Sequence, residues 1–328
     1  MRELSNQQRL NLVNTIQLHE NHQDALRHAQ DYRYGMRWKT VRGVDYLFRE
    51  RDRRGNGHLL GRRNPERERI LAEFLAGKQR SQERLKGITA QLDEQARLNK
   101  ALRLGRVPVL IANILRHLQQ QGLGGVFTVL GTQALYAYEA EAGVQLLTEL
   151  LASGDIDLLY DPRQNLDLMS ERLEGIGLLG LLQKVDRSFV CVRQQGFRAA
   201  NAGHFMVGLI IPERPMQEST PITFAEEDLY AAEVPGLQWL LNAPKIKAVA
   251  VDEQGYPVTF RVPDPRALAL HKAWLAQQPS REPLKRPRDQ AQATALFEML
   301  RTYMPHYPLD IAALRYLPKG VATGLLGQ

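Results

Sequence analysis

The sequence predicts an α+β protein: a mixed-sheet core, a helical C-terminal region, and a basic, helix-rich N-terminal module carrying a small β-hairpin. Three observations predict it. Residues 1–106 hold 23 Lys and Arg against 13 Asp and Glu, whereas the remainder holds 20 against 23, so the net charge of +7 originates in the first third. That third is dominated by stretches with helical spacing of apolar residues. From residue 125 onward, short apolar runs of strand length alternate with helical segments. With 44% hydrophobic and 24% charged residues, the composition is that of a globular chain, not of a disordered tail, a collagen or a disulfide scaffold. Its 328 residues suit two domains on the usual allowance of about 150 each. Charge and element type divide them into a module at 1–106, a core at 107–264 and a helical region at 265–328.

Each element follows from local pattern. Residues 5–30 read as a helix opened by a Ser5–Gln8 capping box, with Leu12, Val13, Ile16 and Leu26 as a ragged apolar face. Trp38–Val41 and Tyr46–Phe48 are β-prone runs around Gly43, and Gly55–Asn56–Gly57 is a turn, so 35–61 is expected to be a small antiparallel sheet or hairpin. Asn64–Pro65 starts a helix. Helical spacing then continues to about Leu104, with Gly77 and Gly87 expected to break it into two or three helices. Another helix follows Pro108 and ends at Gly122 or Gly124.

Val126–Leu130 is a buried-strand run that Gly131–Thr132 turns into a helix carrying Leu135, Tyr138 and Ala142. Ile156–Tyr160 is the next strand, followed by a helix with Leu173, Ile176 and Leu179. Strands recur around 188–193, 197–201 and 205–211, and 213–236 reads as partly loop. Ile246–Val251 and Val258–Val262 flank Gly255 as a hairpin, and helices return at 265–277, 288–303 and 309–315.

No apolar stretch approaches the roughly 18 residues that span a bilayer. The polar start Met1–Leu10, with Glu3, reads as neither a signal nor a transit peptide. A cytoplasmic protein without a membrane partner is expected. The lone Cys191 lies in the apolar run Ser188–Val192 and is expected to be a buried core thiol.

Two features of the α/β segment carry chemistry. At Leu130–Gly131–Thr132, glycine allows close backbone approach to a ligand. The helix start behind it presents free N–H groups suited to phosphate, and Thr132 adds a hydroxyl; the same pattern also serves as a plain turn. In Gly154–Asp155–Ile156–Asp157, the two carboxylates fall on one strand face, about 6.6 Å apart at Cα. Like charges so placed suit a magnesium ion, which takes one or two carboxylates and fills its shell with water and phosphate. The plainer reading makes Asp155 a turn cap and Asp157 a solvated strand-end residue.

Strand, Gly–Thr, helix and a strand bearing Asp–Ile–Asp together resemble the polymerase-β-like nucleotidyltransferase superfamily. More closely, the chain resembles a bacterial group named only for its nucleotidyltransferase fold. The closer likeness covers nearly the whole chain, on Tyr34–Lys39, Gly131–Glu139, Gly154–Leu159, Val185–Phe189, Pro263–Lys272 and Lys285–Ala291. The resemblance implies that Gly131 and Thr132 hold the phosphates of a nucleoside triphosphate. It implies that Asp155 and Asp157 are both the catalytic pair and the ligands of Mg²⁺, one ion or two. It also implies that a basic residue on a C-terminal helix, Lys272, reaches the triphosphate; the alternative for Lys272 is a surface lysine.

The sequence departs from the family pattern at one point. A third carboxylate is expected on a later strand, and Gly208 stands in its place within Phe205–Pro212. Asp161, Asp186 and Asp252 are candidates to substitute. The resulting expectation is a Mg²⁺-dependent transfer of a nucleoside monophosphate from an NTP to a macromolecular hydroxyl. RNA such as tRNA is the first acceptor, docked by the basic module, and protein the second. The alternative is a catalytically impaired module of the same fold that binds nucleotide or nucleic acid.

Other residues carry two readings each. The Arg49–Arg69 run is either a salt-bridged solvated surface or a nucleic-acid contact. Arg281, Lys285, Arg286 and Arg288 either contact phosphate or serve the helix start near Asp289. Trp38 either stacks on a base or fills a hairpin core. Tyr138 is expected in the core, while Tyr136 or Glu139 is a candidate to face the nucleotide. His271 is expected to pack, and His19, His22 and His28 to lie along a solvated helix. The 66–104 stretch either packs on its own domain or mediates a homodimer.

Overall fold

The computed structural model describes residues 1–163, 175–214, 220–310 and Leu314. The chain divides into two compact units, one formed by Leu10–Leu102 and the other by Met1–Arg9 with Arg103–Gln328.

In the Leu10–Leu102 unit, helix α1 (Asn6–Asp31) from Leu10 onward and helix α2 (Pro65–Ala101) accompany a three-stranded antiparallel meander. The strands are β2 (Met36–Val41), β3 (Val44–Glu50) and β4 (Gly57–Arg62). Arg42 and Gly43 both have positive φ, at 50° and 75°, the geometry of a two-residue turn that matches strand twist. The expected capping box is present: Gln8 N–H donates to Ser5 Oγ at 3.2 Å, and Ser5 N–H donates to Gln8 Oε1 at 3.0 Å. Asn64 caps α2 by accepting from Arg67 N–H at 2.8 Å, with Pro65 in the first turn.

The expected breaks at Gly77 and Gly87 do not occur, since α2 is one helix of 37 residues. A mid-helix glycine costs only about 1 kcal/mol relative to alanine, which tertiary packing outweighs. Gly77 has a packing reason, because a Cβ there would come 2.5 Å from the Tyr32 hydroxyl. The two helices are joined by buried polar groups: Asn99 Nδ2 donates to Thr15 Oγ1 at 2.9 Å. Gln95 Nε2 donates to Asn11 Oδ1 at 3.0 Å and to Asn99 Oδ1 at 3.1 Å.

The other unit is built on a six-stranded mixed sheet in the order β5 (Phe127–Leu130), β7 (Asp155–Tyr160), β10 (Met206–Pro212), β9 (Arg198–Ala200), β8 (Val190–Cys191), with β11 (Ala232–Val234) also on β10. The central pair β7 and β10 is parallel, and β5 and β9 run antiparallel to their neighbours. A hairpin, β12 (Lys245–Val251) with β13 (Pro257–Pro263), and a short pair, β1 (Arg2–Glu3) with β6 (Val144–Gln145), complete the strands.

Helices α3 (Val109–Gln120), α4 (Leu135–Ala142), α5 (Thr148–Leu151), α6 (Gly177–Val185), α7 (Leu237–Asn242), α8 (Pro265–Gln277) and α9 (Arg286–Tyr303) belong to the same unit. Leu173 and most of 309–315 lie outside the described residues.

The sheet core is continuous. Phe127, Tyr160 and Phe224 meet edge-on or tilted, and Tyr138 is fully buried with its hydroxyl donating to Pro263 O at 2.8 Å. Cys191 corrects the sequence reading: it is only half-buried, because β8 is the outer strand of the sheet and Val190 and Val192 on either side of the cysteine are exposed. Among the described residues, no helix is long and apolar enough to cross a membrane.

The Asn99→Ala variant tests the buried α1–α2 network. It leaves Thr15 and Gln95 short of a partner, which costs about 1–3 kcal/mol. Urea unfolding should show a lowered midpoint, and an unchanged midpoint would contradict the network's structural role.

Candidate functional site

Strand β7 sets the site. Ile156 and Leu158 point into the core at 1% and 0% exposure, so alternation puts Asp155 and Asp157 together on the opposite face. Asp157 is paired with Leu130 on β5 and with Gly208 on β10. Its carboxylate lies near two glycines, Gly208 on β10 and Gly131 just past the end of β5. A Cβ added at Gly131 would lie 3.5 Å from Asp157 Oδ2, and one added at Gly208 would lie 2.8 Å from Asp157 Oδ1. Gly131 also has φ +69°, a left-handed conformation that glycine adopts without a steric cost. The carboxylate thus lies close over Gly208, where a Cβ would displace it, and within ordinary contact distance of Gly131.

The turn after β5 is tied to its surroundings by side chains. Buried Gln133 donates to Asp155 O at 2.9 Å, fastening the turn to the start of β7. Thr132 Oγ1 accepts from Gln292 Nε2 at 3.1 Å and from Arg288 Nη2 at 3.4 Å, both from α9. With both lone pairs engaged, the Thr132 O–H remains as a donor. Gln292 Nε2 also donates to Leu150 O at 2.7 Å, and Arg288 Nη2 donates to Ala152 O. Ser153 Oγ donates to Asp155 Oδ1.

The electrostatics of the pair are unbalanced. Burial first, and then the like charge of Asp155, push the Asp157 carboxyl up; Arg198, Lys272 and Arg281 pull it down less strongly. Among the described residues, no ion pair joins either carboxylate. A hard divalent cation fits this donor set. The donors are oxygens, their mutual repulsion asks for positive charge, and a Cβ at Gly208 would press on the Asp157 carboxylate. Among the described residues, no cluster of three or more His, Cys, Asp or Glu has metal-binding geometry, so Asp155 and Asp157 are the two side chains that would hold such an ion.

Lys272 is not a surface residue. It is 6% exposed and its ammonium donates to Asp289 Oδ1 at 2.7 Å, while Arg281 Nε donates to Asp289 Oδ2 at 2.7 Å. Burial would raise Asp289, but the two cations hold its carboxyl below the ordinary range. Lys272 is thus committed to α9 and acts on Asp157 through its field. Of the basic cluster, Arg281 serves Asp289, Lys285 pairs with Glu282 at 2.8 Å, and Arg286 holds the backbone of Pro279 and Arg281. Only Arg288 reaches the Gly131–Thr132 turn. Its contact depends on α9 folding back onto α5 and the turn after β5, which no local pattern announces.

Three carboxylates considered as substitutes at position 208 are engaged elsewhere. Asp252 is fully buried against Arg116 at 2.8 Å. Asp161 follows the far end of β7 and binds Arg163 at 2.8 Å. Asp186 accepts from Ser188 and Asn201. His271 packs between Trp239 and Trp274, with ring centroids at 5.4 and 5.7 Å, and burial pushes its pKa down to about 3. Glu139 is 4% exposed, accepts from Leu146 N–H, and lies 3.3 Å from Arg106; Tyr136 is also buried.

A family model described as nucleotidyltransferase matches residues 110–317. That span contains every residue of the site just described and begins beyond the Leu10–Leu102 unit. No curated protein and no solved structure matches the chain.

Glu139 generates a pH prediction. Burial pushes its carboxyl from the ordinary 4.5 up to about 7, so the folded state binds the proton more tightly than the unfolded chain does. The resulting stability is full below about pH 4.5 and is lost as pH rises through about 7. Relative to Glu139→Gln, the wild type should lose on the order of 2 kcal/mol between pH 4.5 and pH 8. Chemical denaturation at the two pH values measures this, and a pH-independent difference would contradict it.

Proposed function

Because the chain belongs to the nucleotidyltransferase family, we propose that it moves a nucleoside monophosphate from an NTP to a hydroxyl of an RNA acceptor, at a magnesium site on Asp155 and Asp157. One observation carries this reading: Asp157 is set between two glycines, with Asp155 two residues before it and no ion pair to either among the described residues. A structural aspartate pair would have been neutralised by a neighbouring side chain, as Asp289 is by Lys272 and Arg281.

The chain's own groups divide the work. Gly131 lets the triphosphate approach the backbone, and the Thr132 O–H donates to a phosphate oxygen while Gln292 and Arg288 hold its oxygen in place. Magnesium, when bound, would neutralise phosphate charge and fix the triphosphate against the carboxylates. Lys272 and Arg281 add positive potential without leaving Asp289. The acceptor oxygen forms a bond to the α-phosphorus, the bond from that phosphorus to the α–β bridging oxygen breaks, and pyrophosphate departs. The hydroxyl proton passes to water. Positioning and charge neutralisation account for the acceleration.

RNA is favoured as acceptor by the tip of the β3–β4 loop. Arg51, Arg53 and Arg54 are exposed there. Asp52 is turned into the loop instead, where the Asn56 side chain and backbone and Arg54 N–H hold its carboxyl low. The charges that would compensate the arginines are thus drawn inward. Arg37 and Arg63, in contrast, are paired with Glu50 and Glu68 at 2.9 and 2.8 Å. Gly208 supports a second reading, a module that holds nucleotide without turnover.

The test is transfer from α-labelled NTPs in Mg²⁺ with RNA and protein acceptors supplied separately. Label should enter RNA, and Asp155→Asn or Asp157→Asn should reduce it by about a hundredfold or more. Label in protein alone would overturn the RNA acceptor, and NTP binding without pyrophosphate release would select the second reading. Changing Arg51, Arg53 and Arg54 to Ala should flatten the salt dependence of RNA binding by about 2 in log–log slope, at roughly 0.7 per phosphate contact. An unchanged slope would remove this loop from the interface.

A further inference from the structure

Gly208 does more than omit a carboxylate. It is paired on one side with Asp157 of β7 and on the other with Arg198 of β9, so the three residues form a row across the sheet. Directly opposed residues of neighbouring strands share a face. Adjacent strands are about 4.8 Å apart, which puts Arg198 two spacings from Asp157, within reach of its long side chain across a residue that has none. A Cβ at position 208 would stand 3.9 Å from Arg198 Cγ and 2.8 Å from Asp157 Oδ1. The stem of Arg198 and the carboxylate of Asp157 thus border the same gap.

The guanidinium end is supported but not neutralised. It lies over the Phe197 ring, 4.7 Å from the centroid, and among the described residues no carboxylate pairs with it. Its charge is felt at Asp157. The charge balance is also informative: a carboxylate holding a divalent cation has a net charge of +1, and so does one guanidinium. Arg is permanently charged, and its planar donors match phosphate oxygens.

Resting on the nucleotidyltransferase reading, we propose that the site takes one divalent cation, on Asp155 and Asp157. Arg198, reaching across Gly208, binds the α-phosphate where a third carboxylate with a second cation would otherwise act. Arg198 is then a substrate-contacting residue. The transfer step keeps the same balance, with the hydroxyl proton leaving to water because a guanidinium cannot accept it.

The experiment counts Mn²⁺ bound per chain by electron paramagnetic resonance, with an α,β-methylene NTP present so that no transfer occurs. The affinity of the same analogue is measured for wild type, Arg198→Ala and Arg198→Lys. The expected result is one Mn²⁺ per wild-type chain, a loss of roughly tenfold or more in analogue affinity for Arg198→Ala, and partial recovery in Arg198→Lys. Circular dichroism melts of the variants separate lost contact from lost fold, and the wild-type ion count does not depend on any variant. Two ions per wild-type chain, or unchanged affinity in a folded Arg198→Ala, would overturn the proposal while leaving the transferase reading intact. Failure of the wild type to bind either Mn²⁺ or the analogue would overturn both.

Discussion

Asp155 and Asp157 are held on one face of β7, and Asp157 has Gly208 of β10 on one flank and Gly131 of the turn after β5 on the other, with no ion pair among the described residues. The rest of the site follows from that repulsion. Ile156 and Leu158 fix the strand by burying the opposite face, so neither carboxylate can turn away without exposing core. Gln133 locks the start of the strand to the Gly131 turn. In the proposed function, a cation and phosphate would relieve the repulsion between these confined like charges, the way a binding site is made at the expense of stability.

The C-terminal helices show the contrast between a neutralised carboxylate and an open one. Asp289 is buried, yet Lys272 and Arg281 bond to both of its oxygens. This buried ion triplet joins the two ends of the α8–α9 connection and keeps α9 beside the Gly131–Thr132 turn, where Gln292 and Arg288 engage Thr132. Removing one partner of such a cluster costs more than the cluster contributes in net stability, because the remaining charge is left buried. The positive field at the carboxylates is therefore a by-product of how the helices are fastened.

Much of this was legible in the sequence wherever a local rule decides the outcome. The Ser5–Gln8 box, the Asn64–Pro65 start and the Gly43 turn depend on residues within a few positions, and they occur as read. The Gly131 turn and the Asp155–Asp157 spacing likewise need only strand periodicity. Gly77 misled because its use is tertiary: it makes room for Tyr32 of another element instead of ending a helix. Lys272 was ambiguous because its partner lies 17 residues away on the following helix. The apolar run around Cys191 suggests a core position because it does not reveal that its strand is at the sheet's margin. Arg198 carried no signal, since its meaning depends on the register of β9 against β10, which places it across Gly208 from Asp157.

The most direct test of this account is the thermal stability of the wild type and of Asp157→Asn, each with and without Mg²⁺ and a non-hydrolysable NTP. Without ligand, the asparagine variant should melt higher, because it removes a like-charge repulsion from an enclosed site. With ligand, only the wild type should gain substantially, by mass action on the folded state, and the order should reverse. A variant that melts lower than the wild type without ligand, or gains as much with it, would contradict the claim that this carboxylate pair is held for a cation and a triphosphate.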